Sequence, residues 1–261
     1  MAKDYAAIAR QRISRPSQQK RFPRIFIYSR NKKGKSTLLT TVGVDKILIL
    51  DPEHGTDEMK KKDPHVWHIE RWEDIDEAYQ FLRHEKHDYQ WVGVDAMTKL
   101  ANMALKYVMK LQEEKSLDRI PGMVQQRDYG KAGELMKEML NQFQNLPLGV
   151  IFTANERMVE NSDDSEEDED VEGVSALFLP DLPKGVRGSI TSMVDVIGRL
   201  YIVKNDDGKA ERRLWIGESL KYDTGYRSDY TLPDFIRNPT IPKLVRLMRT
   251  GSATATPKTS S

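Results

Sequence analysis

Apolar residues along this chain fall into short β-rich runs separated by stretches with helical spacing. The runs at 24–28 (RIFIY), 46–50 (KILIL), 65–69, 91–95 (WVGVD) and 148–153 (LGVIFT) read as strands. Ile75, Ala78, Tyr79 and Leu82 recur at the spacing of one helix face and predict a helix over 72–83. Similar patterns predict helices opening near Lys35 and over 98–112, 129–143 and 189–194. Two later runs, 196–203 and 213–217, flank Asn205-Asp206-Asp207-Gly208, a group of turn residues that predicts a hairpin. Strands alternating with helices imply an α/β fold with a mainly parallel sheet flanked by helices on both faces. The hairpin adds an antiparallel edge.

Composition narrows the class. The 261 residues suffice for one α/β domain with a full core. No apolar run approaches the ~18 residues of a membrane span, and the N-terminus lacks the apolar stretch of a secretory signal. There are no cysteines, so disulfides and cysteine-based zinc sites are excluded, which fits a reducing, cytoplasmic setting. The net charge is only +1, but it is unevenly spread. Residues 1–23 form a basic arm in which Lys3, Arg10, Arg12, Arg15, Lys20 and Arg21 face Asp4 alone. Residues 161–173 are acidic throughout, and 249–261 are small and polar, so both are expected to be solvated and flexible. The folded domain is therefore expected over 24–248.

The most specific motif lies after the first strand. Ser29, Arg30, Asn31, Lys32, Lys33, Gly34, Lys35, Ser36 and Thr37 follow the spacing of a phosphate-binding loop, with Ser29 where the first glycine is expected. Such a loop turns backbone N–H groups toward a phosphate. Lys35 then reaches the β- and γ-phosphates, Ser36 ligates Mg²⁺, and Gly34 allows close backbone approach. Asp95, closing the run WVGVD, is expected to hold Mg²⁺ with Ser36; an aspartate capping the following helix would look the same in sequence. The nucleotide expected is ATP.

Five further segments carry a resemblance. The segment Ile49-Leu50-Asp51-Pro52-Glu53-His54-Gly55 resembles the strand end of RecA-family recombinases that bears the catalytic glutamate. The segment Phe152-Thr153-Ala154-Asn155-Glu156-Arg157-Met158 is similar to the strand whose polar amide senses the γ-phosphate. With Gln126-Arg127-Asp128-Tyr129-Gly130, Leu179-Pro180-Asp181-Leu182-Pro183 and the ending through Asn238-Pro239-Thr240-Ile241-Pro242, the chain resembles small phage-encoded RecA-core ATPases of the Sak type over 24–248. The resemblance implies a RecA-like ATPase that acts on single-stranded DNA in phage recombination or annealing, in the host cytoplasm. It makes Glu53 the activator of the attacking water and Asn155 the sensor. It also implies a homo-oligomer, ring or filament, whose sites are completed by cations from the next subunit. Lys221 and Arg227 are the candidates for those cations, although surface charge alone accounts for them equally well.

DNA-facing loops are expected at 115–131, where Lys115, Arg119, Arg127 and Tyr129 offer cations for phosphates and an aromatic for stacking, and after Asn155. An ordinary polar helix connection also explains the first. The second coincides with the acidic run, whose carboxylates repel phosphates; the run is either a mobile insertion pointing away or a screen over the DNA site until displaced. The basic arm is a further source of DNA affinity or a dock on a neighbouring subunit, and a single-strand-binding protein is a further possible partner. The alternative function is a nucleotide-gated replication or recombination accessory or loader with little turnover of its own.

Overall fold

The computed structural model describes residues 3–15, 22–116, 118–160 and 176–252. The acidic run at 161–173, Lys20 and Arg21 of the basic arm, and the tail from 253 onward lie outside the described residues.

Six strands run parallel: β1 (Arg24–Ser29), β2 (Ile47–Asp51), β3 (His65–His68), β4 (Trp91–Val94), β5 (Gly149–Glu160) and β7 (Val196–Lys204). Four strands join them antiparallel: β6 (Ala176–Pro180) on β5, β8 (Ala210–Trp215) and β9 (Gly225–Tyr226) on β7, and β10 (Phe235–Arg237) on β8. The main spatial order is β10-β8-β7-β1-β5-β4-β2-β3. This is the expected architecture: a mainly parallel sheet with an antiparallel extension at one edge. The hairpin between β7 and β8 turns at Asn205–Gly208, where Gly208 takes φ 74.

Both faces of the parallel strands are apolar, because successive side chains point to opposite sides. Phe26, Tyr28, Leu50, Val94 and Phe152 face one way, toward α3 (Glu73–His84), α4 (Met97–Lys115), α5 (Gln126–Gln144) and α6 (Lys184–Met193). Ile25, Ile27, Ile47, Ile49 and Ile151 face the other way, toward α2 (Lys35–Leu39) and α7 (Ile241–Thr250). A short helix, α1 (Tyr5–Arg12), lies within the basic arm; Asp4 caps its N-terminus and it buries no residue.

Several expectations change. The helix after the phosphate loop is only five residues long and gives way to 3-10 turns at Thr40–Val42 and Val44–Lys46, with Gly43 between them at φ 106. Strand β5 does not stop at Thr153. It runs to Glu160, because residues 156–160 gain a partner in β6. The loop expected directly after Asn155 is therefore strand, and Asn155 is not a turn residue. Helix α6 opens at Lys184, just after Pro183, rather than at 189. Helix α7 was not anticipated. Thr240 accepts from the Lys243 N–H at 3.2 Å, Pro242 sits in the first turn, and Gly251 at φ 67 closes the end. No helix among the described residues is long and apolar enough to cross a membrane.

Candidate active site

Parallel register brings the key residues to one edge. Ser29 lies opposite Asn155, Leu50 opposite Val94, and Val94 opposite Phe152. The phosphate loop, Asp51, Asp95 and Asn155 thus emerge together at the carboxyl ends of neighbouring strands, where open α/β sheets bind ligands.

The loop from Arg30 to Gly34 leaves β1 as a tight turn with Lys32 at φ 62 and Gly34 at φ 100. Glycine at 34 is demanded by its backbone. Its conformation disfavours any L side chain, and a Cβ there would sit 2.9 Å from Cζ of Arg212. Arg212, on β8, thereby places a guanidinium against the loop. Sequence reasoning missed it, since one arginine in a charged hairpin carries no signal. Ser29 is fully buried, and its hydroxyl donates to the Arg30 carbonyl at 2.8 Å. The substitution for glycine is accommodated inside the turn. Arg30, Asn31 and Lys32 are exposed, whereas Lys33, Ser36 and Thr37 are half-buried.

Lys35 is the buried cation of the site. Its Nζ donates to Asn155 Oδ1 at 2.9 Å, with the Ser29 carbonyl at 3.5 Å. Burial lowers its pKa, opposed by the negative charges of Asp95, Glu53 and Glu156. Asn155 Nδ2 in turn donates to Glu53 Oε1 at 3.5 Å, and the Asn155 N–H donates to Thr98 Oγ1 at 3.0 Å. One amide therefore links the ammonium to the carboxylate, and its two partners fix which way it points.

Burial raises the pKa of Glu53, with Asp95 adding to the effect and Lys35 opposing it. A carboxylate raised in this way is better matched to accepting a proton from water. Its loop is held from below by buried Asp51, which accepts from the backbone N–H groups of Glu53 at 3.0 Å, Gly55 at 3.3 Å and Thr56 at 2.9 Å, and from the Thr56 hydroxyl. Asp51 is the scaffold; Glu53 is presented. Asp95 is buried, which raises its pKa, while hydrogen bonds from Ser36 and Thr153 work the other way. The Asp95–Ala96 peptide is cis.

Ser36 and Asp95 bring two hard-oxygen ligands to the same place, a donor set that fits Mg²⁺. The buried ammonium of Lys35 and the tight turn ending at Gly34 fit a polyphosphate beside them.

A second ionic group flanks the loop. Glu156, adjacent to Asn155 in sequence, binds Arg199 at 2.6 Å and Arg30 at 3.4 Å, and Arg199 lies over the rings of Phe178 and Tyr222. This cluster anchors the extended half of β5 to β6 and β7. It was not read from sequence because its members come from five separate segments.

Other expected residues are placed elsewhere. Arg119 is not available to DNA: it is buried in an ion pair with fully buried Asp128. Asp128 also accepts from the Gln125 N–H at 2.8 Å and completes a capping box at the start of α5. Lys115, Arg127 and Tyr129 are exposed around the same segment, together with Ile120 and Met123. Lys221 is exposed, and its carbonyl accepts from the Phe178 N–H at 2.8 Å. Arg227 follows β9 at the amino-terminal edge of β7, opposite the phosphate loop, and donates to the Ser192 carbonyl at 2.6 Å.

Among known proteins, no curated sequence matches the chain. One solved structure similar to it is a KaiC-like protein from the hyperthermophilic archaeon Pyrococcus horikoshii OT3, with 9% identity over 78% of this chain and 82% of that chain and a TM-score of 0.42. A family model for an AAA domain, AAA_24, matches residues 21–228 and so takes in the phosphate loop, Glu53, Asp95 and Asn155. The chain belongs to this AAA domain family.

Proposed function

We propose that the protein is an ATPase that binds ATP with Mg²⁺ in this site, hydrolyses it, and acts on single-stranded DNA in phage recombination or annealing. One observation carries the hydrolytic part: Lys35, Asn155 and Glu53 form a single hydrogen-bonded row beside Asp95 and Ser36. Lys35 neutralises charge on the β- and γ-phosphates and on the oxygens of the transferring group. Glu53 accepts the proton of the attacking water, and Asn155 holds that carboxylate in line with the ammonium. Ser36 and Asp95 would hold Mg²⁺, which when bound would supply further charge neutralisation on the phosphates. Arg212 offers a second cation from the same chain against the loop.

The DNA part rests on the sequence resemblance and on the exposed side of the 115–131 segment. Lys115 and Arg127 offer charge there, and Tyr129 offers a stacking face. Lys221 and Arg227 are assigned to a neighbouring protomer's nucleotide in a homo-oligomer. The position of Arg227, at the edge away from its own phosphate loop, supports a role in trans.

Phosphate release measured with and without single-stranded DNA, beside Lys35→Ala, tests the reading. Turnover that DNA stimulates and Lys35→Ala abolishes is expected. Nucleotide binding with no turnover in either condition would favour a nucleotide-gated accessory protein instead.

A further inference from the structure

Beside the nucleotide site, two histidines and two carboxylates converge on one exposed patch that the ATPase reading does not use. His54 and Asp57 come from the loop that carries Glu53; His68 ends β3, and Glu70 follows two residues later. The His54 and His68 rings are stacked, 4.8 Å between centroids and 12° between planes. Glu70 Oε1 lies 3.2 Å from His54 Nε2, and Asp57 Oδ1 lies 3.9 Å from His68 Nε2. One ligand atom from each of His54, Asp57 and His68 falls within 4.8 Å of the other two.

Zinc bonded to imidazole nitrogen at about 2.0–2.1 Å in a tetrahedron needs its ligand atoms about 3.3 Å apart. The three atoms are therefore within side-chain rotation of a ligand set. Two imidazoles with carboxylates suit a borderline metal such as Zn²⁺ or Co²⁺, whereas Mg²⁺ and Ca²⁺ prefer oxygen-only sites. The chemistry is separate from that of Ser36 and Asp95, which offer only oxygen.

We propose that His54, Asp57 and His68 bind one transition-metal ion of the zinc class, with Glu70 as fourth ligand or as the carboxylate orienting His54. A bound ion ties the 3-10 segment Gly55–Met59 to the end of β3. His54 is the immediate neighbour of Glu53, so the ion braces the loop that presents the proposed base to water. This inference goes beyond the ATPase reading and stands if that reading fails.

Co²⁺ titrated into the full-length, nucleotide-free protein under excess Mg²⁺ tests it, with visible d–d absorption as the readout and Zn²⁺ as competitor. The excess Mg²⁺ occupies oxygen sites and leaves imidazole ligands open. Expected are absorption bands saturating at one ion per chain and displaced by Zn²⁺. His54→Ala and His68→Ala should each weaken binding by at least about tenfold, and Glu70→Gln less. Both histidines are half-exposed, so the variants should keep the wild-type circular dichroism. Absence of the bands in the wild type would overturn the proposal. So would Co²⁺ affinity unchanged in both histidine variants, since the patch would then be only two histidine–carboxylate contacts.

Discussion

At the scale of single residues, Asn155 joins opposite charges that would otherwise meet only through solvent. Its amide oxygen takes the Lys35 ammonium and its nitrogen takes Glu53. Asn155→Ala should therefore lower kcat with little effect on ATP affinity, a split that steady-state kinetics beside equilibrium binding would show. Lys35→Ala should remove both tight binding and turnover, the latter by about 10²–10³-fold, the range found when a charge-stabilising donor is deleted. Lys35, Ser36 and Asp95 were legible in sequence because their spacing to flanking apolar runs is local. Arg119 was misread for the opposite reason. A cation in a polar connection looks solvent-facing until the fold brings Asp128 against it. Hydrogen bonding from Arg119 holds the Asp128 carboxyl below the usual aspartate range, so this pair contributes stability above about pH 4 and loses it as pH falls through the lowered value. Asp128→Ala leaves a buried guanidinium unpaired and should cost about 3–5 kcal/mol in denaturant unfolding.

At the scale of elements, the largest departures are in β5, α2 and α7. The apolar pattern of β5 ends at Ala154 because the remaining residues, paired with β6 and half-open to solvent, no longer need two apolar faces. Helix α2 is brief, so its end supplies little dipole; Lys35 is buried at its first position and the Arg212 guanidinium lies against Gly34. Helix α7 carried readable signals in Thr240, Pro242 and Gly251. Its burial of Ile241, Leu244 and Leu247 against Ile27 and Leu39 depends on tertiary contact no local pattern reveals. Leu244→Ala should destabilise the fold by about 2–5 kcal/mol, read as a lowered denaturant midpoint. On the opposite face, the first turn of α5 keeps Arg127 and Tyr129 exposed. If it contacts single-stranded DNA, Arg127→Ala should weaken binding across sequences and reduce the logarithmic salt slope by about 0.7, as loss of one phosphate contact requires.

At the scale of the whole molecule, a parallel sheet gathers segments from positions 29 to 155 onto one edge, and β8 adds Arg212 from the antiparallel side. The alternation of strands and helices made that sheet legible. The strand order was not, because register and neighbour choice depend on pairings between distant segments. Glu53 is proposed to activate water beside a nucleotide held by Lys35 and Asp95. The most direct test of this role compares ATP affinity and steady-state phosphate release for Glu53→Gln and wild type. Nearly unchanged affinity is expected, with turnover reduced by about 10²–10⁴-fold, the contribution of a general base. Turnover equal to wild type would contradict it.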